Sequence, residues 1–286
     1  MKKFIISAVA ALLFLPFLYP HPSSAQKAVA NDRHHQRYPV LQKAKNPEDA
    51  GFSTEKLKRV DRLIEEDVAA GFPGASLIII KDGKIVKQKA YGYKLKYSGL
   101  TPLKHPQKMR TDTMFDLASN TKMYAVNFAL QHLASRGELD LNSKISRYIP
   151  DFKDTPEDAI KGKSALRIVD LLHHTAGFPA SWNYYDPKTA GKLYSQTRGK
   201  TLEFLSKTPL AYKPGTKQVY SDIDYMLLGL IIEKITGQRL DSYVENRFYR
   251  PLGLRHTLFN PLQKGFNPSQ FAATELMGNT RDGTIS

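Results

Sequence analysis

The sequence contains no cysteine, which excludes disulfides and all thiol chemistry. That absence suits an oxidising compartment, where stray thiols are a liability, without establishing one. A clear bilayer-spanning run is also missing. The apolar stretch from Phe4 to Tyr19 is shorter than the roughly 20 residues a spanning helix needs, and Pro16 and Pro20 interrupt it. There are no internal repeats and no low-complexity segments, so neither a solenoid nor a disordered polymer is expected. Acidic residues are scarce, 27 against 42 Lys and Arg, giving a formal charge of +15.

What is present begins with a leader. Two lysines, the apolar run and Ser23-Ser24-Ala25 form a signal peptide over residues 1–25 with cleavage before Gln26. The alternative is an uncleaved inner-membrane anchor, and either way the protein is expected to be exported and periplasmic. Cleavage removes only Lys2 and Lys3, so the mature chain stays strongly basic and is expected to favour anionic envelope surfaces. No nucleic-acid partner is expected, because the basic residues are scattered and no recognised nucleic-acid motif accompanies them. Residues 26–51 are polar and aperiodic and read as a tether, with His34 and His35 solvated in it. Globular structure is expected to begin near Phe52, in one domain over 52–286.

Ser53 is an N-cap candidate, and Leu57, Val60, Leu63, Ile64 and Val68 follow at helical spacing until Gly71. Next come two β-rich runs around Asp82-Gly83, an antiparallel hairpin over about 76–90. From Phe115 onward the pattern is mostly helical. Helices are predicted from Ser119 to about Arg136, around "ALRIVDLLHHTAG", in "TLEFLSKTPL" and in "SDIDYMLLGLIIEKITG", with Gly137, Gly177 and Gly237 ending three of them. The fold class is α+β, a helical subdomain packed on an antiparallel sheet.

The stretch "FDLASNTKMYAVNFALQHL" places Ser119 and Lys122 one helical turn apart. A serine hydroxyl is a weak nucleophile until its proton is taken. Lysine as the base needs its pKa lowered by about three units, roughly 4 kcal/mol of burial and neighbouring positive potential. A lysine that stays charged instead favours the phenolate of a nearby tyrosine, which then serves as general base. By itself S-x-x-K also reads as an N-cap followed by a surface lysine. A candidate tyrosine is Tyr220, two residues before Asp222 and just ahead of an apolar helix; it also reads as a core aromatic, with Ser221 and Asp224 as a capping-box-like pair and Tyr225 as the buried ring. His173 and His174 are adjacent, project in different directions and lack a third ligand, so no metal site is expected.

Taken in order, "DLASNTK", "LRIVDLLHHTAGFP", "PGTKQVYSDIDYMLLGLIIEKITG" and "PLGLRHTLFNP" resemble the serine β-lactamase and penicillin-binding superfamily. The likeness is to its class C-like D-alanyl-D-alanine peptidase branch, and within it to the type 4B penicillin-binding proteins, which similarly carry Y-S-D where most relatives have Y-x-N. It runs from about Phe52 to the end. The resemblance implies a β-lactamase/transpeptidase-like fold and an acylated nucleophile at Ser119, with Lys122 as its proton partner and Tyr220 as general acid/base. It implies substrate contacts at Asn120 and Asp222, no metal or organic cofactor, peptidoglycan stem peptides as substrate and β-lactams as acylating inhibitors. His174-Thr175-Ala176-Gly177 matches the family's structural turn. A carboxylate at Asp222 is expected to hold Lys122 charged and to oppose a tyrosinate, slowing catalysis.

Relatives carry a third motif, K-T-G or H-x-G, on a strand that completes the oxyanion hole, and no such segment follows Tyr220. The expectation is a family member incomplete at its C-terminus. Losing one oxyanion donor costs about 2.7 to 4 kcal/mol, and the hairpin is expected to show an unpaired edge and an uncovered apolar face. Poor solubility of residues 26–286 follows. Two further readings stay open: an esterase or β-lactamase on the same scaffold, and a non-catalytic wall-associated protein.

Overall fold

The computed structural model describes residues 41–274, so the proposed leader, most of the tether and the terminal segment "GNTRDGTIS" lie outside the described residues. Ordered structure begins earlier than Phe52. Strand β1 (Gln42–Lys43) lies parallel to a long central strand, and Glu48–Ala50 forms a single 3-10 turn. The Glu48 carboxylate accepts hydrogen bonds from the Thr54 N–H and hydroxyl, tying this entry segment to the first helix. Helix α1 (Thr54–Ala69) starts where the sequence places it, with Ser53 Oγ accepting from the Lys56 N–H.

Strands β2 (Gly74–Lys81) and β3 (Lys84–Ser98) form the expected hairpin. Both turn residues, Asp82 and Gly83, have positive φ (49° and 71°), the backbone of a tight two-residue connection. Helix α1 covers one face of this sheet through polar contacts. Asp61 lies between Lys87, at 2.8 Å, and the Tyr91 hydroxyl, at 2.5 Å, and Glu65 meets Lys89 at 2.9 Å. The opposite face leaves Ile78 and Ile80 half exposed, and β2 pairs only with β3 among the described residues. A fourth strand, β4 (Thr101–Lys108), pairs antiparallel with the second half of β3. Sequence patterning did not indicate it, because Pro102 and Pro106 break the β signature; an edge position tolerates them.

The larger layer is helical. The helix that follows Ser119 opens with a π turn (Lys122–Asn127) that runs into α2 (Phe128–Ser135). After it come α3 (Ile168–Leu172), α4 (Arg198–Leu205), α5 (Asp222–Thr236) and α6 (Leu240–Val244). Helix α5 is the core rod. Ile223, Leu227, Leu228, Ile231 and Ile232 have no exposed surface, and they pack with Ala129 and Leu133 of α2 and with Ile168 and Leu171 of α3. Phe152 and Phe178, also fully buried, meet at 6.3 Å between ring centroids. Each such side chain contributes roughly 1.5–3 kcal/mol of burial, and together they clamp α2 and α5 into one body.

Two local expectations are corrected. Helix α3 ends at Leu172, not toward Gly177; His174, with φ 57°, supplies the left-handed residue that turns the chain out of the helix. Ser221 is the N-cap residue of α5 but forms no capping box with Asp224. Its hydroxyl donates to the Pro179 carbonyl, and Asp224 is buried against His174.

Candidate active site

Ser119 sits immediately before the helix that leads into α2, on a backbone bent sharply at Ala118. Ala118 has φ 42°, unusual for a residue with a Cβ, and its N–H donates to Asp116 Oδ1 at 2.8 Å, which holds the bend. The bend exposes Ser119, and its N–H donates no hydrogen bond among the described residues, leaving that donor open. Lys122 N–H bonds the Ser119 carbonyl at 3.0 Å, and the following π turn sets the lysine at the mouth of the helix. Single π turns of this kind recur at functional sites.

The second wall is the segment 218–222, which carries Tyr220 to the same place across about a hundred residues of chain. It is held by backbone and side-chain bonds to the turn after α3. The Val219 N–H reaches the His174 carbonyl at 2.9 Å, Gln218 Nε2 the His173 carbonyl at 3.0 Å, and the Ser221 N–H His174 Nδ1 at 3.1 Å. The Asp222 N–H bonds the Ala180 carbonyl at 2.8 Å. Gly177 is required in this turn: its φ is 101°, and a Cβ there would stand 2.5 Å from the Tyr212 carbonyl oxygen.

Lys122 is the hub. Its Nζ donates to Ser119 Oγ at 3.2 Å and to Asp222 Oδ1 at 2.6 Å, and lies 4.8 Å from the centroid of the Tyr220 ring and 5.8 Å from that of Tyr225. Burial works to lower the Lys122 pKa, but the Asp222 carboxylate and the Tyr220 hydroxyl outweigh it and hold the ammonium above its ordinary value. An ammonium only donates, so Lys122 cannot take the Ser119 proton while so charged. The Tyr220 hydroxyl is shifted the other way. The Lys122 ammonium and the Ser119 hydroxyl beside it lower its pKa, against weaker opposition from burial and Asp222. Asp222 therefore opposes the tyrosinate, as expected, but Lys122 prevails.

Of the residues singled out in the sequence, Ser119, Lys122, Tyr220 and Asp222 come together. Asn120 stands next to them, exposed, its N–H bonded to the Leu117 carbonyl and its side chain free of hydrogen bonds among the described residues. His173 points to solvent and His174 turns inward. Three residues that sequence reasoning did not assign complete the arrangement: Asp116 behind the bend, His174 beneath Tyr220, and Asp224 beneath His174. All three lie within the motifs that carried the resemblance, Asp116 in "DLASNTK", His174 in "LRIVDLLHHTAGFP" and Asp224 in "PGTKQVYSDIDYMLLGLIIEKITG", and that was the available signal.

A serine flanked by a fixed cation and an acidified phenol is the arrangement that acyl transfer by a serine nucleophile requires. The comparisons agree: the Beta-lactamase family model matches residues 60–284, and the chain belongs to that family. It is 56% identical over 285 residues to an N-acetylmuramyl-L-alanine amidase of Bacillus subtilis, covering 100% of this chain and 63% of that protein. A Salmonella typhimurium protein provisionally named a D-alanyl-D-alanine carboxypeptidase is 58% identical over 248 residues, 87% of this chain and 57% of that one. The chain thus spans about three fifths of the length of these curated relatives. Among solved structures it resembles the D-amino acid amidase of Ochrobactrum anthropi, with TM-score 0.58, 25% identity, and 76% and 55% of the two chains covered. The penicillin-binding protein homologue of Pyrococcus abyssi shares the fold, with TM-score 0.58, 24% identity, and 80% and 50% covered.

Proposed function

We propose that this chain carries the acylation site of a serine D-alanyl-D-alanine carboxypeptidase acting on peptidoglycan stem peptides. The observation that carries this reading is the convergence of the Ser119 hydroxyl, the Lys122 ammonium and the Tyr220 phenol in one cluster at the surface. Tyr220, as the phenolate that Lys122 favours, takes the Ser119 proton as Oγ attacks the carbonyl of the penultimate D-alanine. The open Ser119 N–H meets the oxyanion. Tyr220 then returns the proton to the leaving amine of the terminal D-alanine, and water, activated by the same phenolate, hydrolyses the ester. Lys122 stays charged throughout, and Asn120 and Asp222 line the substrate's path. A β-lactam follows the first step and stalls at the acyl-enzyme.

The reading includes export, with residues 1–25 as leader, a tether reaching to strand β1, and a basic surface facing anionic envelope polymer. The Bacillus relative's name favours a second substrate, the amide joining muramyl lactate to L-alanine at the other end of the stem peptide, which the same acyl-enzyme chemistry serves. Incubation with a muramyl stem peptide ending in D-alanyl-D-alanine distinguishes these. Released D-alanine, lost in Ser119→Ala, is the expected product; a freed L-alanine terminus assigns the amidase reaction, and turnover of p-nitrophenyl butyrate alone assigns an esterase.

A further inference from the structure

His174 and Asp224 take no part in the steps above, yet His174 lies against the Tyr220 ring and Asp224 against His174. The imidazole is packed between two tyrosine rings, 4.7 Å from the Tyr220 centroid and 5.3 Å from that of Tyr225. Its Nδ1 has two neighbours, the Ser221 N–H at 3.1 Å and Asp224 Oδ2 at 2.8 Å. Both cannot be satisfied by a nitrogen that carries hydrogen. A backbone N–H only donates, so Nδ1 presents its lone pair to Ser221, and a hydrogen bond between Nδ1 and Asp224 then needs its proton on the carboxyl group, with the one lone pair shared between the two donors. Burial points the same way. Asp224 is 1% exposed and its Oδ1 has no hydrogen-bond partner among the described residues, a placement that an ionised carboxylate tolerates poorly.

We propose that Asp224, as the neutral acid, donates its proton to His174 Nδ1, and that this uncharged pair is the seat that holds the Tyr220 ring beside Lys122 and Ser119. The two are positioning residues. His174 carries the Tyr220 segment twice, through its carbonyl to Val219 and through its ring, and its left-handed backbone is what aims the ring upward. Neutrality matters because of what surrounds the pair. Lys122 faces it from the nucleophile helix, Tyr220 from the segment above, Asp222 and Tyr225 from α5, and Tyr212 from the loop before that segment. An imidazolium would set a second cation against Lys122, and an Asp224 carboxylate would add a second anion opposing the tyrosinate; the shared-proton pair does neither. The titration tendencies agree: burial pushes the Asp224 carboxyl up to about 8, and burial and Lys122 together lower the His174 pKa.

The role as a seat rests on the function proposed above, so its test reads the pair without using activity. In the full 286-residue chain labelled with 15N-histidine and 13Cζ-tyrosine, the His174 and Tyr220 signals are assigned by their loss in His174→Gln and Tyr220→Phe. The expected result is a neutral His174 with bare Nδ1 and protonated Nε2 at pH 7, a titration of its Nδ1 signal near pH 8, and no such titration in Asp224→Asn, whose amide still donates. Tyr220 should titrate below about 10, the ordinary tyrosine value, in the wild type and Asp224→Asn, and move back toward it in Asp224→Ala. An Nδ1-protonated ring or an imidazolium at pH 7 overturns the proposal, as does a Tyr220 titration untouched in Asp224→Ala. The wild-type tautomer decides even where Asp224→Ala fails to fold. For the reaction itself, Ser119 acylation should be about 100-fold slower in Asp224→Ala, the cost typical of a misplaced catalytic group, and restored in Asp224→Asn. If Ser119 is never acylated while His174 shows the stated tautomer, the proposed reaction falls and the pair stands. If Ser119 is acylated while His174 is protonated at Nδ1, the pair falls and the reaction stands.

Discussion

Replacing Asp222 by asparagine removes one charge from the site while keeping its size and its acceptor oxygen. Asp222 Oδ1 is 2.6 Å from Lys122 Nζ, with the lysine side chain 14% and the carboxylate 52% exposed. Two unit charges at that separation interact by about 1.6 kcal/mol in bulk water. Half-exposure of the carboxylate, ordinary salt and side-chain entropy leave roughly 1 kcal/mol as the net effect on the proton equilibria of the site. The direction follows from the charges. The carboxylate raises the Lys122 pKa and opposes ionisation of Tyr220, so its removal lets both groups lose their protons at lower pH. A 1 kcal/mol change is about 0.7 pH unit. The pH profile of Ser119 acylation by a fluorescent penicillin, followed from pH 6 to 9, should therefore move toward acid by about that amount in Asp222→Asn. On the limb set by the tyrosinate, the rate should rise, by at most about fivefold. Superimposable profiles would remove Asp222 from the mechanism, and a shift toward alkali would reverse the assignment of Lys122 as a fixed cation.

Two further outcomes test the frame around the site. Asp154 accepts from the N–H groups of Gly162, Lys163 and Ser164 and from the Ser164 hydroxyl; burial opposes its ionisation, but these donors hold its carboxyl down to about 2. Its folded pKa lies below the unfolded value, so the stability it supplies is present above about pH 4 and disappears as the pH falls toward 2. Urea midpoints should show Asp154→Ala losing about 1 to 2 kcal/mol at pH 7, with the difference closing at pH 2. A gap independent of pH would contradict this. Leu227→Ala empties a fully buried position on α5 and should cost about 2–5 kcal/mol at an unchanged denaturant slope; a smaller loss would mean that α5 is not the core rod.

Much of this was legible because it is local. The Ser119–Lys122 spacing, the Ser53 cap, the Asp82-Gly83 turn and the apolar run of α5 each lie within one short window, and the structure realises all four. What escaped the sequence depends on distant chain or on backbone strain. Tyr220 could be joined to Ser119 only through the resemblance, since no period or spacing links positions a hundred residues apart. Strand β4 hides behind its prolines, and β1 is too short to carry a pattern. The left-handed turn after α3 falls on His174, where a glycine was the natural expectation, and the proposed seat beneath Tyr220 is what an imidazole there supplies. Likewise Asp224 reads as a helix-capping acid in the sequence and is a buried partner of His174 in the fold.

In the proposed mechanism Ser119 is the group that becomes acylated, and its proton passes to Tyr220 beside a charged Lys122. Peptide mass mapping after incubation with benzylpenicillin reads that step itself. A single covalent adduct on the peptide containing Ser119 is expected, formed slowly, absent in Ser119→Ala and strongly reduced in Tyr220→Phe and Lys122→Ala. An adduct on another residue, or labelling of Ser119 at the same rate in Tyr220→Phe, would contradict the mechanism.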